Sequence, residues 1–288
     1  MEKAKVIILA GQSNAVGVGY IKCLPNHFDN KKIEEYENGY NNILINYYSH
    51  GLEVHDFVNT TMRIAERNKE TFGPEIGMAE KLTQLFPNEK FYIIKWAFGG
   101  SRLYDDWYCP SNGKPYDEKS SAYDLTDILE IFNIGGKRPN AGWCYNGLIS
   151  KVKESIKILE SQNLKPEIRA FCWMQGESDT HTPDSIGDYI NRYKNLIKDF
   201  KSNFSDYLYN CIYADAGIST EWNEYEKINQ AKYNYAIEDK NRVYIDTIKN
   251  GLTTLFEPEE NPDTAHYDSG SLIKLGHLFI DAIKNNLK

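Results

Sequence analysis

The sequence predicts an α/β fold in which a central parallel sheet is covered by helices on both faces. Three observations predict it. Short β-type runs alternate with stretches of helical period. The first run, Val6-Ile7-Ile8-Leu9-Ala10, is apolar throughout, as strands covered on both faces tend to be. Three of the runs end alike, in glycine followed by small polar residues. With 288 residues, 41% of them apolar, the chain has ample material for a core, since chains of this size bury roughly three quarters of their unfolded surface. An aromatic content of 13% excludes disordered, collagen-like and coiled-coil classes.

After the strand at 6–10 comes a helix over 74–86, with Pro74 in its first turn and Ile76, Ala79, Leu82 and Leu85 at three-residue steps. A strand over 90–97 follows, then a helix over 147–161 with Val152, Ile156 and Leu159 on one stripe, and a strand over 167–174. The helix over 184–200 carries Ile186, Ile190, Tyr193 and Ile197 in register. A strand over 207–214, a helix around 222–237, a strand over 242–245 and a helix over 271–286 complete the series. Residues 21–70 and 102–140 are polar, rich in Tyr, Asn and Asp, and are read as insertions leaving the scaffold. There is no internal repeat or Pro/Ser linker, so one domain over 1–288 is expected.

Lysine and arginine number 33 against 41 acidic residues, 33 − 41 = −8. A broad basic footprint for nucleic acid or an anionic membrane is therefore not expected, and the apolar runs fall far short of the roughly 20 residues that span a bilayer. Met1 to Lys5 run straight into a strand with no cleavage site, from which a cytoplasmic location is expected, with a processed secreted form as the alternative. Five cysteines without C-x-x-C spacing signal neither a zinc site nor a disulfide framework, and Cys172 and Cys211 read as core thiols. No metal is expected, and nothing in the chain sets an oligomeric state.

The three similar strand ends are Gly11-Gln12-Ser13-Asn14, Gly99-Gly100-Ser101 and Gln175-Gly176-Glu177-Ser178-Asp179. In a parallel sheet they share one edge, where ligands bind. Phosphate cradles are excluded: residues 11–17 supply neither G-x-G-x-x-G nor the Gly-Lys-Ser/Thr of a P-loop. Chemistry at a hydroxyl nucleophile fits better. It needs a base, an orienter for that base and donors for an oxyanion. Among six histidines, His266 is the one with an aspartate three residues before it, Asp263; His181, two residues after Asp179, is a competing base. Ser13 is favoured over Ser101 and Ser178 as nucleophile because it opens a predicted helix. Glu177 and Asp179 read either as carboxylates holding the loop or as helix caps, with capping preferred for Asp179. Trp96 and Trp173 read as core, and Tyr104, Trp107 and Tyr108 as residues for stacking on a ligand, which the resemblance given next implies is a sugar.

Gly11-Gln12-Ser13-Asn14, Gly99-Gly100-Ser101, Trp173-Met174-Gln175-Gly176-Glu177-Ser178-Asp179 and Asp263-Thr264-Ala265-His266 resemble, in order, the four blocks of the SGNH (GDSL-type) hydrolases. The likeness is to the carbohydrate O-acetylesterase branch that includes sialate O-acetylesterases and acetylxylan esterases, and residues 72–77 look like that branch too. The resemblance implies a flavodoxin-like three-layer α/β/α domain and a serine esterase acting through an acetyl-enzyme on an acetylated small molecule or oligosaccharide, without cofactor. It further implies Ser13 as nucleophile, His266 as base, Asp263 as orienter, and the N–H of Ser13, the N–H of Gly100 and the Gln175 amide as oxyanion donors. Gln175 departs from the asparagine usual in the superfamily and matches the acetylesterase branch. Gln12, Asn14, Gly99, Glu177 and Trp107 are expected to support these groups or meet substrate. Two other readings stay open: a GDSL-type lipase or thioesterase, and a carbohydrate-binding protein without turnover.

Overall fold

The structure, a computed structural model, describes residues 1–62, 70–113, 141–254 and 257–288. Six parallel strands form the sheet: β1 (Glu2–Gly11), β2 (Tyr40–Ser49), β3 (Phe91–Ala97), β4 (Leu164–Met174), β5 (Leu208–Ala216) and β6 (Arg242–Ile245). Their order across the sheet is β6-β5-β4-β1-β3-β2. β1 is the spine. It pairs with β3 on one side and β4 on the other, and Val6 to Ala10 are fully buried, which is why that run carries no polar alternation. Each buried Val, Ile or Leu contributes about 1.5–3 kcal/mol.

The five strands read from the sequence lie in the chain-wise order 2-1-3-4-5 that defines the flavodoxin-like sheet. β2 is a correction. It lies within the stretch read as an insertion, yet it pairs in parallel with β3 from Ile43↔Phe91 to Ser49↔Ala97 and extends the scaffold. Leu52–Glu53 and Val58–Thr60 then add to it antiparallel. Residues 63–69 and 114–140, parts of the two expected insertions, lie outside the described residues.

Seven α-helices are described: α1 (Ser13–Val16), α2 (Asn30–Asn38), α3 (Glu75–Leu85), α4 (Trp143–Ser161), α5 (Pro183–Asn203), α6 (Tyr225–Ile237) and α7 (Ser269–Ile283). They flank the sheet, with α7 packed on α3 and α5 against both α4 and α6. Side-chain caps set three of the starts: Asp29 accepts the N–H of Lys32, Thr182 that of Ser185, and Asp268 that of Ser271. Among the described residues no helix is long and apolar enough to cross a membrane.

Candidate active site

The chain reverses its strand order between β1 and β4, and both strands end there. Gly11 closes β1 at φ +147°, and a Cβ on it would come 1.9 Å from Met174 O at the end of β4, so only glycine allows the approach. The N–H of Gln12 then donates to Met174 O at 2.9 Å, and Ser13 follows as the first residue of α1. α1 is a single turn, so its macrodipole adds little to an anion at Ser13, contrary to the expectation from sequence. It is fixed from below instead. Lys95 of β3, wholly buried, donates to Val16 O at 2.8 Å and to Glu75 Oε2 at 2.7 Å. Ser49 Oγ reaches the same Val16 carbonyl at 3.3 Å.

Two buried amides flank the serine. Gln12 Oε1 accepts from Gln175 Nε2, Gly176 N–H and Ser178 N–H at 3.2, 3.4 and 3.2 Å, and its Nε2 donates to Ser178 Oγ. Gln12 is thus a hub between strand ends. Asn14 Nδ2 donates to Glu177 Oε1 at 2.9 Å, and its Oδ1 accepts the N–H of Tyr267 at 3.0 Å. One side chain therefore joins the residue after Ser13, the β4 loop and the residue after His266.

His266 has the predicted partner. Its Nδ1 lies 2.7 Å from Asp263 Oδ2, while Asp263 Oδ1 accepts the N–H of Ala265 at 2.9 Å. Burial raises the Asp263 carboxyl, but the bond to His266 and two backbone N–H groups outweigh it and hold the group below its ordinary value. With Nδ1 bound to a carboxylate, Nε2 is the nitrogen left to take a proton. Among the described residues, Ser13 Oγ makes no hydrogen bond, to His266 or to any other. Ser101 and Ser178 differ: the hydroxyl of Ser101 donates to Phe98 O and accepts from Trp107 Nε1, and that of Ser178 accepts from Gln12. His181 lies edge-on to Trp222 at 5.8 Å, its pKa lowered by burial and by Arg102.

The β3 loop enters through Phe98, whose N–H donates to Gly11 O at 3.1 Å, and turns at Gly100 with φ +70°. The capping role expected for Asp179 is not seen, since Thr182 caps α5. Asp179 instead accepts the N–H groups of Leu103 and Tyr104 at 2.8 and 3.0 Å and the amide of Gln175, clamping the β3 loop to the β4 loop. Burial pushes its carboxyl up to about 6 against these bonds. Gln175 Nε2 is also 3.1 Å from Ser101 O, and its two hydrogens are shared among three acceptors. Glu177 is wholly buried, and its carboxyl is raised by desolvation against the bond from Asn14.

The sugar-stacking expectation fails for Trp107, which is 0% exposed and packs edge-on to Trp96 and Trp173, and for Tyr108, which is buried. Tyr104 lies under the Arg192 guanidinium at 4.2 Å. Three supporting residues carried no motif. Lys232 of α6, fully buried, donates to Gln175 O and Ala216 O at 2.5 and 2.7 Å and pairs with Asp215, whose carboxyl burial lifts to about 6 despite the lysine. Tyr189 Oη joins it on Gln175 O at 3.0 Å. A lysine on an amphipathic helix reads as surface, so nothing in the sequence could have found it. Glu53, His55 and Glu154 form a cluster of metal-ligand type among the described residues, but the ammonium of Lys151, 2.9 Å from Glu53 and 3.1 Å from Glu154, occupies the cation's place.

No curated protein sequence matches this chain. Among solved structures it resembles a protein of Arabidopsis thaliana at 19% identity and a TM-score of 0.64, covering 99% of this chain and 100% of that one. It also resembles NanS at 18% and 0.65, covering 99% and 97%. A carbohydrate acetylesterase from Xanthomonas citri matches at 11% and 0.57, covering 98% of this chain and 57% of that one. Identities this low speak to the fold alone. Residues 3–285, nearly the whole chain, match the family model described as carbohydrate esterase, sialic acid-specific acetylesterase. With that match added to the folded arrangement above, the chain belongs to the sialic acid-specific acetylesterase family of carbohydrate esterases.

Proposed function

We propose that this carbohydrate O-acetylesterase works through Ser13, His266 and Asp263 as one catalytic unit over residues 1–288. Ser13 Oγ attacks the acetyl carbonyl while His266 Nε2 takes its proton. The oxyanion is met by the N–H groups of Ser13 and Gly100 and by the Gln175 amide, which trades one of its present acceptors for the acyl oxygen. The carbon–oxygen bond to the sugar breaks, and His266 returns the proton to the departing hydroxyl. Water, deprotonated by the same imidazole, then releases acetate from the acetyl-enzyme. The observation that carries this reading is the Asn14 bridge, which ties the residue after Ser13 to the residue after His266, beside a histidine already held by Asp263 at 2.7 Å.

The test is pre-steady-state hydrolysis of p-nitrophenyl acetate. A burst of p-nitrophenol is expected, lost in Ser13→Ala; equal rates in the two proteins would remove serine from the mechanism. Acetyl esters are expected to outrun octanoyl esters, and the reverse order would favour a lipase or thioesterase. A binding protein on this scaffold would turn over neither.

A further inference from the structure

The Gly99-Gly100 pair poses a physical problem. Two consecutive glycines have the greatest backbone freedom of any dipeptide, whereas an oxyanion donor works only when held within roughly 0.5 Å of its productive place. Neighbouring anchors act on Phe98, Ser101, Leu103 and Tyr104. Gly99 itself is held by a residue from the stretch read as an insertion: its N–H donates to His50 Nδ1 at 3.1 Å.

His50 immediately follows β2. Its own N–H donates to Ala97 O at 3.0 Å, and its ring stacks on Phe98 with centroids 4.4 Å apart. Its backbone sits at φ +50°, a left-handed conformation unusual for a residue with a side chain. Strain of this kind persists where the surroundings over-determine it. A Cβ built on Gly99 would lie 3.3 Å from His50 Nδ1 and 3.7 Å from Ser13 Cβ, so the ring and the serine flank the same side of the glycine. Because Nδ1 accepts, the proton of the neutral ring resides on Nε2.

We infer that His50 is a positioning residue for deacetylation: its Nδ1 lone pair holds Gly99 so that the following N–H, that of Gly100, is aimed at the acyl oxygen on Ser13. The inference rests on the proposed roles of Ser13 and Gly100. Phe98 stacking alone is the competing explanation, and the two differ in what they ask of position 50. Packing asks for a ring, positioning for an acceptor.

Four variants of the full chain separate them. His50→Phe keeps a ring on Phe98 and loses the acceptor. His50→Asn keeps an acceptor close to the place of Nδ1, on a residue that tolerates left-handed backbone. His50→Gly relieves the strain and leaves a space for free imidazole, so it serves where the bulkier variant does not fold. Ser13→Ala is the control. With p-nitrophenyl acetate, His50→Phe is expected to lower kcat about 10- to 100-fold with KM little changed, and to weaken inhibition by a boronic acid in parallel. His50→Asn should stay within about five-fold of the parent, since one neutral hydrogen bond is retained. His50→Gly should regain kcat on addition of imidazole, after subtraction of the reagent's own reaction. Parental kcat in His50→Phe or unrescued His50→Gly, or an Asn variant as slow as Phe, would overturn the inference. Activity persisting in Ser13→Ala would instead overturn the nucleophile assignment beneath it.

Discussion

Asn14 spans 253 residues of sequence with one amide, since Glu177 accepts from its nitrogen and Tyr267 donates to its oxygen. Removing it frees the serine loop from the histidine loop, and displacing a reacting group by about 1 Å can slow a reaction 100-fold. Asn14→Ala should therefore lower kcat about 10- to 100-fold, and steady-state kinetics on an acetyl ester check it; parental kcat would mean that the two loops are held by other bonds. With Gln175 in its proposed role as an oxyanion donor, Gln175→Ala should lower kcat about 100- to 1,000-fold, the usual loss on removing one such donor. The proposed role of His266 as base adds a pH prediction. The imidazole must be neutral to accept the serine proton, so kcat/KM should fall as the pH is lowered and the ring takes up a proton. Asp263, held below its ordinary value, stays ionised through the ordinary carboxylate range, so its own protonation adds nothing to that loss until the pH falls further. A flat profile would remove His266 from the role of base.

Glu80 of α3 shows how elements are tied. It accepts from Tyr36 and Lys32 of α2, both through hydrogen bonds under 3 Å, and meets His277 of α7 at 2.8 Å. Burial raises its carboxyl, but these partners prevail and hold it down at about 2. The depressed folded pKa stabilises the protein above the unfolded carboxylate value, and that contribution disappears as pH falls from 4.5 toward 2. Glu80→Gln should therefore cost about 2 kcal/mol at pH 7, with the gap to the parent narrowing below pH 4.5. Urea midpoints at pH 7 and pH 3.5 test the sign, and a gap that widens in acid would refute it. β2 teaches a different lesson about elements. Its residues Asn41, Asn42 and Asn46 and its tyrosines make it look like a polar excursion, yet Ile43 and Ile45 are fully buried against the rest of the core. Its membership in the sheet is set by pairing with β3, a partner more than forty residues away that local composition does not register.

Across the whole molecule, the core takes in all five cysteines, each free and buried. Burial drives Cys144 and Cys172 well above the ordinary thiol value and pushes Cys109 and Cys211 up to about 12, which makes them poor nucleophiles. A thiol reagent should find essentially none in the native protein and five after unfolding, and rapid native labelling would contradict this packing. On the same scale, sequence alone determined the alternation of strand and helix, the apolar spine, the family likeness and the pairing of Asp263 with His266. Each of these is written in neighbouring residues or in fixed local spacings. Tertiary structure decided what depends on distant partners: the place of β2 in the sheet, Trp107 as core, Asp179 as a clamp on the β3 loop, and the buried lysines beneath the loops. A polar side chain has the same sequence signature whether it meets water or a backbone carbonyl brought to it by folding, and the difference lies entirely in which far-off segment arrives beside it.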